Sequence, residues 1–134
     1  MRYYEAALLI TLLALICMFL SLKNANGAER DYQEPWCEQH EGIIEHVLKD
    51  RTRIDCLLDT YAIEFDYARK WAEAIGQAML YGYRTDRKPG IALIMETEKD
   101  CVYLHRLREA LFYGGIGATV WEVGDYAYQC SPEL

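Results

Sequence analysis

The stretch Arg53-Ile54-Asp55-Cys56-Leu57-Leu58-Asp59-Thr60-Tyr61-Ala62-Ile63-Glu64-Phe65-Asp66 reads as two short strands joined by a tight turn. Ile54, Cys56 and Leu58 alternate on one face of the first strand, and Ile63 and Phe65 do the same on the second. With the turn centred on Asp59-Thr60, Asp55 lies directly opposite Glu64, and Arg53 opposite Asp66. Like charges placed opposite one another destabilise a sheet. The commonest reason to keep such a pair is a bound cation with oxygen ligands.

The elements on either side follow from the same patterns. Ile43-Ile44-Glu45-His46-Val47-Leu48 is β-rich and gives a first strand, with Lys49-Asp50-Arg51 as the turn before the hairpin. Upstream, residues 29–35 are charged, end in Pro35 and read as a lead-in, and Trp36 to Gly42 reads as a short helix. Downstream, Ala68 to about Tyr83 is helical, with Trp71, Ile75, Ala78 and Met79 as an apolar stripe that Ala72, Ala74 and Leu80 widen. A turn-rich loop over residues 84–90 ends it. Ile91-Ala92-Leu93-Ile94-Met95-Glu96 is a continuous apolar run of strand length, as expected of a buried central strand. Asp100 to Phe112 is a second helix with Val102, Leu104, Leu107 and Leu111 on its core side. Gly114-Gly115 ends it, and residues 118–123 form a last strand. The order predicts an α/β fold of three layers, a mixed sheet flanked by helices with the hairpin near one edge.

The chain has 134 residues, enough for one small domain. Residues 1–27 carry Arg2, an apolar run from Ala6 to Leu22, then a polar segment with small residues at Ala25 and Gly27. This is the layout of a secretory signal, leaving residues 28–134 as the single mature domain. Export to the periplasm or outside the cell is then expected, with no stable membrane partner. The rival reading is an uncleaved membrane anchor, since the run approaches the length of a span. Without Arg2, Lys23 and Glu5 the remainder holds 12 basic and 20 acidic side chains, a net of −8. That is not the basic balance of a general nucleic-acid binder. Four cysteines remain, Cys37, Cys56, Cys101 and Cys130, so at least one disulfide is expected among three possible connectivities. Cys37-x-x-His40 with Cys101-x-x-x-His105 is a zinc alternative, but neither spacing is distinctive.

The carboxylates suggest a chemistry. A hard cation such as Mg²⁺ is held by one or two carboxylates together with substrate phosphate and water. Lys70, one turn beyond Asp66, is placed to stabilise charge at phosphorus. Lys70, Gln77 and Tyr81 share one helical stripe beside the carboxylates. Each residue also has a plainer reading. Asp55 would make a surface bridge to Arg51 or Arg53 worth under ~1 kcal/mol. Glu64 would face solvent, Lys70 and Gln77 would be exposed, and Tyr81 would belong to the core or its rim.

Asp55, an eight-residue gap, then Glu64-Phe65-Asp66 resembles the signature of the PD-(D/E)XK, or restriction-endonuclease-like, superfamily. The strand–turn–strand, helix, buried strand order is also similar to that superfamily's core. Gln77-Ala78-Met79-Leu80-Tyr81 resembles the Gln-x-x-x-Tyr motif of its RecB-type exonucleases. Residues 63–77 resemble small exported proteins assigned to the same fold. The resemblance spans roughly residues 36–123. It implies a nuclease using Mg²⁺ or Mn²⁺ on DNA or RNA, with Asp55, Glu64 and Lys70 catalytic and Gln77 and Tyr81 on the substrate. Asp55 and Glu64 would bind the metal, with Asp66 as a further acid. Glu45, or Glu38 or Glu41, would stand for the acid that many members carry on their first element. The chain departs from the pattern at position 66, where Asp66 replaces the family's lysine and Lys70 would serve from the adjacent helix. The alternative implied is an exported binding or interaction domain that keeps the fold without the chemistry.

Overall fold

Alternating apolar residues on the hairpin and a continuous apolar run in the middle of the chain build one five-stranded mixed sheet. The computed structural model describes residues 2–131, with the side chains of residues 7–17 and 29–131. Helix α1 (Arg2–Gln39) leads into β1 (Ile43–Val47), β2 (Arg53–Leu57) and β3 (Tyr61–Tyr67). A 3-10 turn at Ala68–Lys70 precedes α2 (Trp71–Thr85), then β4 (Lys88–Ile94), α3 (Cys101–Tyr113) and β5 (Thr119–Val123). The strands lie in chain order, with the first two pairings antiparallel and the last two parallel. Each parallel step is made by a helix, as parallel strands require.

The sheet carries α1 on one face and α2 with α3 on the other. Phe65, Ile63, Cys56, Ala92 and Ile94 pack with Tyr32, Trp36 and Cys37 of α1. Ile91, Leu93 and Met95 pack with Ala74 and Ala78 of α2 and Leu104, Leu107 and Leu111 of α3. The architecture is therefore α/β in three layers, as the element order predicts. Gly90 shows how tightly β4 is held: a Cβ there would meet Trp121 at 2.8 Å and Ile63 at 2.9 Å.

The hairpin register is the expected one. Cys56 faces Ile63 and Leu57 faces Ala62. The Leu58 N–H donates to the Tyr61 carbonyl at 2.9 Å, which closes the turn on Asp59-Thr60. Arg53 instead pairs across β1 with Val47.

Other expectations are corrected. The short helix expected over residues 36–42 and the lead-in before it are both parts of α1, and Pro35 sits inside that helix. The boundary expected after Gly27 falls among residues whose side chains lie outside those described. Strand β4 starts at Lys88, not Ile91, because the Lys88 N–H reaches the Thr60 carbonyl at 3.0 Å and Pro89 pairs with Ala62. Met79 and Leu80, expected in the α2 stripe, are each 42 % exposed, whereas Ala74, Ala78, Tyr81 and Gly82 are buried. Val102 is likewise exposed on α3. Ile54 does not share a cluster with Cys56 and Leu58; it packs with Leu57, Ala62 and Tyr81. Pairing between β1 and β2 skips Glu45 and Asp55, so the strand does not alternate regularly through that point.

Two disulfides are formed, Cys37–Cys56 and Cys101–Cys130. They take both thiols of the zinc alternative, Cys37 and Cys101, which thereby loses its two sulfur ligands. Disulfides persist in oxidising compartments such as the periplasm or the cell exterior. Among the described residues no helix is long and apolar enough to cross a membrane.

Candidate functional site

Strand β3 places Ala62, Glu64 and Asp66 on the side facing α2, because Ile63, Phe65 and Tyr67 take the α1 side. The result is an unusual burden of buried charge: Glu64 is 4 % exposed and Asp66 2 %. Acids are rarely this buried unless they are paired. The solvent-facing reading of Glu64 is therefore wrong.

Asp55 of β2 comes to the same place. Its Oδ2 accepts the Phe65 N–H at 2.8 Å, so a side chain does here what the β2–β3 ladder does further along. Asp55 is half-buried, and among the described residues it makes no bridge to Arg51 or Arg53. Arg53 pairs with Glu45 at 2.7 Å. Asp55, Glu64 and Asp66 line one cleft of about 410 Å³ with Glu29, Arg53, Lys70, Gln77 and Tyr81. The helical stripe Lys70, Gln77, Tyr81 thus meets the carboxylates as its spacing predicts. Lys70 Nζ lies 3.4 Å from Asp66 Oδ1, and the Tyr81 hydroxyl donates to Gln77 Oε1 at 3.3 Å. Glu45 does not line this cleft; it lies in an adjoining recess with Glu29, Arg30, Gln33, Arg53 and Asp55. Glu38 and Glu41 are exposed and line neither.

The electrostatics follow from burial and crowding. Burial pushes the Glu64 carboxyl far above its ordinary range, and the Asp55 charge beside it adds to this. Asp55 is also raised, by burial first, but less, because the Phe65 N–H favours its anion. The pair keeps a proton at neutral pH. Glu64 Oε2 is buried with no hydrogen-bond partner. Glu29 is raised from 4.5 to about 7, by burial and then by Asp55 and Asp66. Asp66 is raised by burial against the pull of Lys70. Burial alone would lower Lys70, but Asp66, Glu29 and Glu73 together outweigh it and raise it, so Lys70 stays a cation. The Tyr81 phenol is raised by burial and by Glu64 and Asp55, so it stays protonated.

Glu29, which lines the cleft, and Gln33, which lines the recess beside it, escaped the sequence reading. Glu29 and Gln33 sit in the segment taken for a lead-in. The signal was the spacing of Glu29, Gln33 and Cys37, four residues apart and so on one helical face, which Pro35 masked.

Asp55 and Glu64 lie against one another, one buried Glu64 oxygen lacks a hydrogen-bond partner, and the cleft opens to solvent. Among the described residues no group of three or more His, Cys, Asp or Glu is arranged to hold a metal ion. Asp66 is engaged by Lys70 and by the Tyr67 N–H at 2.9 Å, and Glu45 by Arg53, which leaves Asp55 and Glu64 as the pair. No protein-family model, curated protein or solved structure matches the chain.

Proposed function

We propose that this chain is a metal-dependent phosphodiesterase with a restriction-endonuclease-like core, acting on nucleic acid outside the cytoplasm. The observation that carries the reading is the contact of Asp55 and Glu64 across the hairpin, with Glu64 Oε2 buried and unpartnered. Two acids that must share a proton in each other's company both ionise once a cation lies between them. Bound by Asp55 and Glu64, Mg²⁺ or Mn²⁺ would activate a water and neutralise charge on a phosphate oxygen.

The chain's own groups supply the rest. The Phe65 N–H fixes the Asp55 carboxylate, so the donor pair needs little reorganisation when it binds. Lys70, held as a cation, is suited to bind a phosphate oxygen or orient a water, not to accept a proton. The Tyr81 hydroxyl holds Gln77 Oε1, which leaves the Gln77 NH₂ to donate to a strand lying along α2. The surrounding acids repel phosphate, so metal-free protein should bind nucleic acid poorly. The two disulfides accord with an oxidising compartment.

A second reading is favoured by one contact. Lys70 is tied to Asp66, the residue that stands where the resembled family has its lysine. In this reading the fold is an exported binding domain without catalysis. Mn²⁺ titration of the full chain, followed by thermal shift, tests the donor pair: a shift in wild type that Glu64→Gln removes is expected. Cleavage of DNA or RNA should need Mg²⁺ or Mn²⁺, stop with EDTA and vanish in Asp55→Asn. Lys70→Met should lose about 10²-fold in kcat, as for removal of one charge-stabilising donor. Metal binding without cleavage of either nucleic acid would leave the binding-domain reading. No Mn²⁺ shift in wild type would defeat the enzymatic one.

A further inference from the structure

Gln33 is 2 % exposed, yet it is neither a ligand nor a nucleophile in the proposed site. Its Nε2 donates to the Asp55 carbonyl at 2.6 Å and to Glu45 Oε1 at 3.3 Å. These are the two residues that the β1–β2 ladder skips. Glu45 there adopts φ +54°, a left-handed conformation uncommon for a residue with a side chain. A skipped rung leaves backbone polar groups in need of partners. Gln33 supplies the donor for the Asp55 carbonyl. One turn further along α1, Cys37 is bonded to Cys56, the residue after Asp55. Asp55 is therefore held by its carbonyl from α1, by the staple beside it, and by its carboxylate on the Phe65 N–H.

We infer that Gln33 is a positioning residue for the carboxylate pair: through the Asp55 carbonyl it keeps the Asp55 side chain turned into the cleft beside Glu64. The inference rests on the reading of that pair as the metal site. An amide serves where a lysine or an acid would not. It donates to two acceptors on two strands without adding charge to a crowded acidic site. Helix α1 thus contributes to the chemistry through the backbone of β2.

The test compares full-length wild type, Gln33→Met and Gln33→Glu, with Glu64→Gln as the control. Met keeps the volume of the side chain and removes its donor; Glu puts an acceptor against two acceptors. Mn²⁺ affinity is read by calorimetry, and backbone hydrogen exchange reports the Phe65 amide. Gln33→Met should weaken Mn²⁺ binding about tenfold, the usual effect of removing an outer-shell partner. Gln33→Glu should weaken it further. In both, the Phe65 amide should exchange faster while Ile91 and Leu93 of β4 stay protected. The Mn²⁺ concentration for half-maximal cleavage should rise by the same factor, with kcat at saturating Mn²⁺ within about twofold of wild type. Should Gln33→Met unfold the chain, Gln33→Asn, which shortens the donor's reach, carries the comparison. Wild-type Mn²⁺ affinity together with unchanged Phe65 exchange overturns the positioning role and leaves the proposed function standing. Absence of Mn²⁺ binding in wild type overturns the proposed function, and Phe65 exchange alone then decides whether Gln33 orients Asp55.

Discussion

Glu64 on β3 and Glu122 on β5 flank β4 on the same side of the sheet, opposite Ile91 and Leu93. They are buried to nearly the same extent, with exposures of 4 % and 6 %. Their surroundings differ in kind. Glu122 Oε1 accepts from Arg108 at 2.8 Å and its Oε2 from the Tyr128 N–H at 2.7 Å. Both oxygens are satisfied, the charge has a counter-ion, and the tail is tied to α3 and β5. Glu64 has an unpartnered oxygen and an acid as its neighbour. A buried carboxylate without partners costs free energy that packing alone does not return. Glu122 is completed by a cation and a backbone donor, whereas Glu64 keeps one buried oxygen unpartnered beside a second acid.

The sharpest way to break this contrast is to neutralise each glutamate in turn. Glu64→Gln should abolish the stabilisation by Mn²⁺, which for wild type is about 2.7 kcal/mol at one hundred times the dissociation constant. Its metal-free stability should rise at neutral pH, since wild type must return to Glu64 on folding a proton that the unfolded chain has lost. Chemical denaturation with and without Mn²⁺ measures both quantities. Equal Mn²⁺ stabilisation in wild type and Glu64→Gln would remove the distinction.

Glu122→Gln should do the opposite. It weakens charge-assisted bonds from Arg108 and the Tyr128 N–H, at a cost of about 2 kcal/mol, with Mn²⁺ affinity unchanged. A variant as stable as wild type would show that the Arg108 pair, exposed on its basic side, contributes nothing.

The pH dependence of metal-free protein sharpens the comparison further. In the fold Glu29 is raised from 4.5 to about 7, and Asp55 and Glu64 are also raised. Over the interval between the unfolded and folded values, the folded chain binds more protons than the unfolded one. Their contribution is therefore whole below the unfolded values and is lost as pH rises towards the folded ones. The melting temperature of wild type should fall relative to Glu64→Gln as pH rises from about 5 to 8. Saturating Mn²⁺ should reverse that trend, because the cation favours both anions. Parallel melting curves for the two proteins across this range would show that Glu64 is not proton-bound in the fold.

The hairpin was legible because each of its signals is local. Ile63 and Phe65 alternate with Glu64 and Asp66, and a two-residue turn fixes which residues face each other. The same holds for Lys70, Gln77 and Tyr81, whose helical spacing suffices to align them. Periodicity did less well where partners come from afar. Met79 and Leu80 look like core residues in sequence, but α2 turns Tyr81 and Gly82 inward at the hairpin and leaves these two exposed. Pro89 reads as a loop residue, yet a parallel strand accommodates it beside Ala62.

By itself the sequence determined the α/β order, the pairing of the hairpin and the opposition of Asp55 and Glu64, because alternation and turn chemistry act between neighbours. Only the tertiary structure decided that α1 reaches the site through Glu29 and Gln33, that the cysteines pair 37 with 56 and 101 with 130, and that Asp66 and Glu45 have cationic partners. Those outcomes depend on which surfaces α1 and the tail bury, and burial is settled by the whole fold, not by the spacing of any one segment.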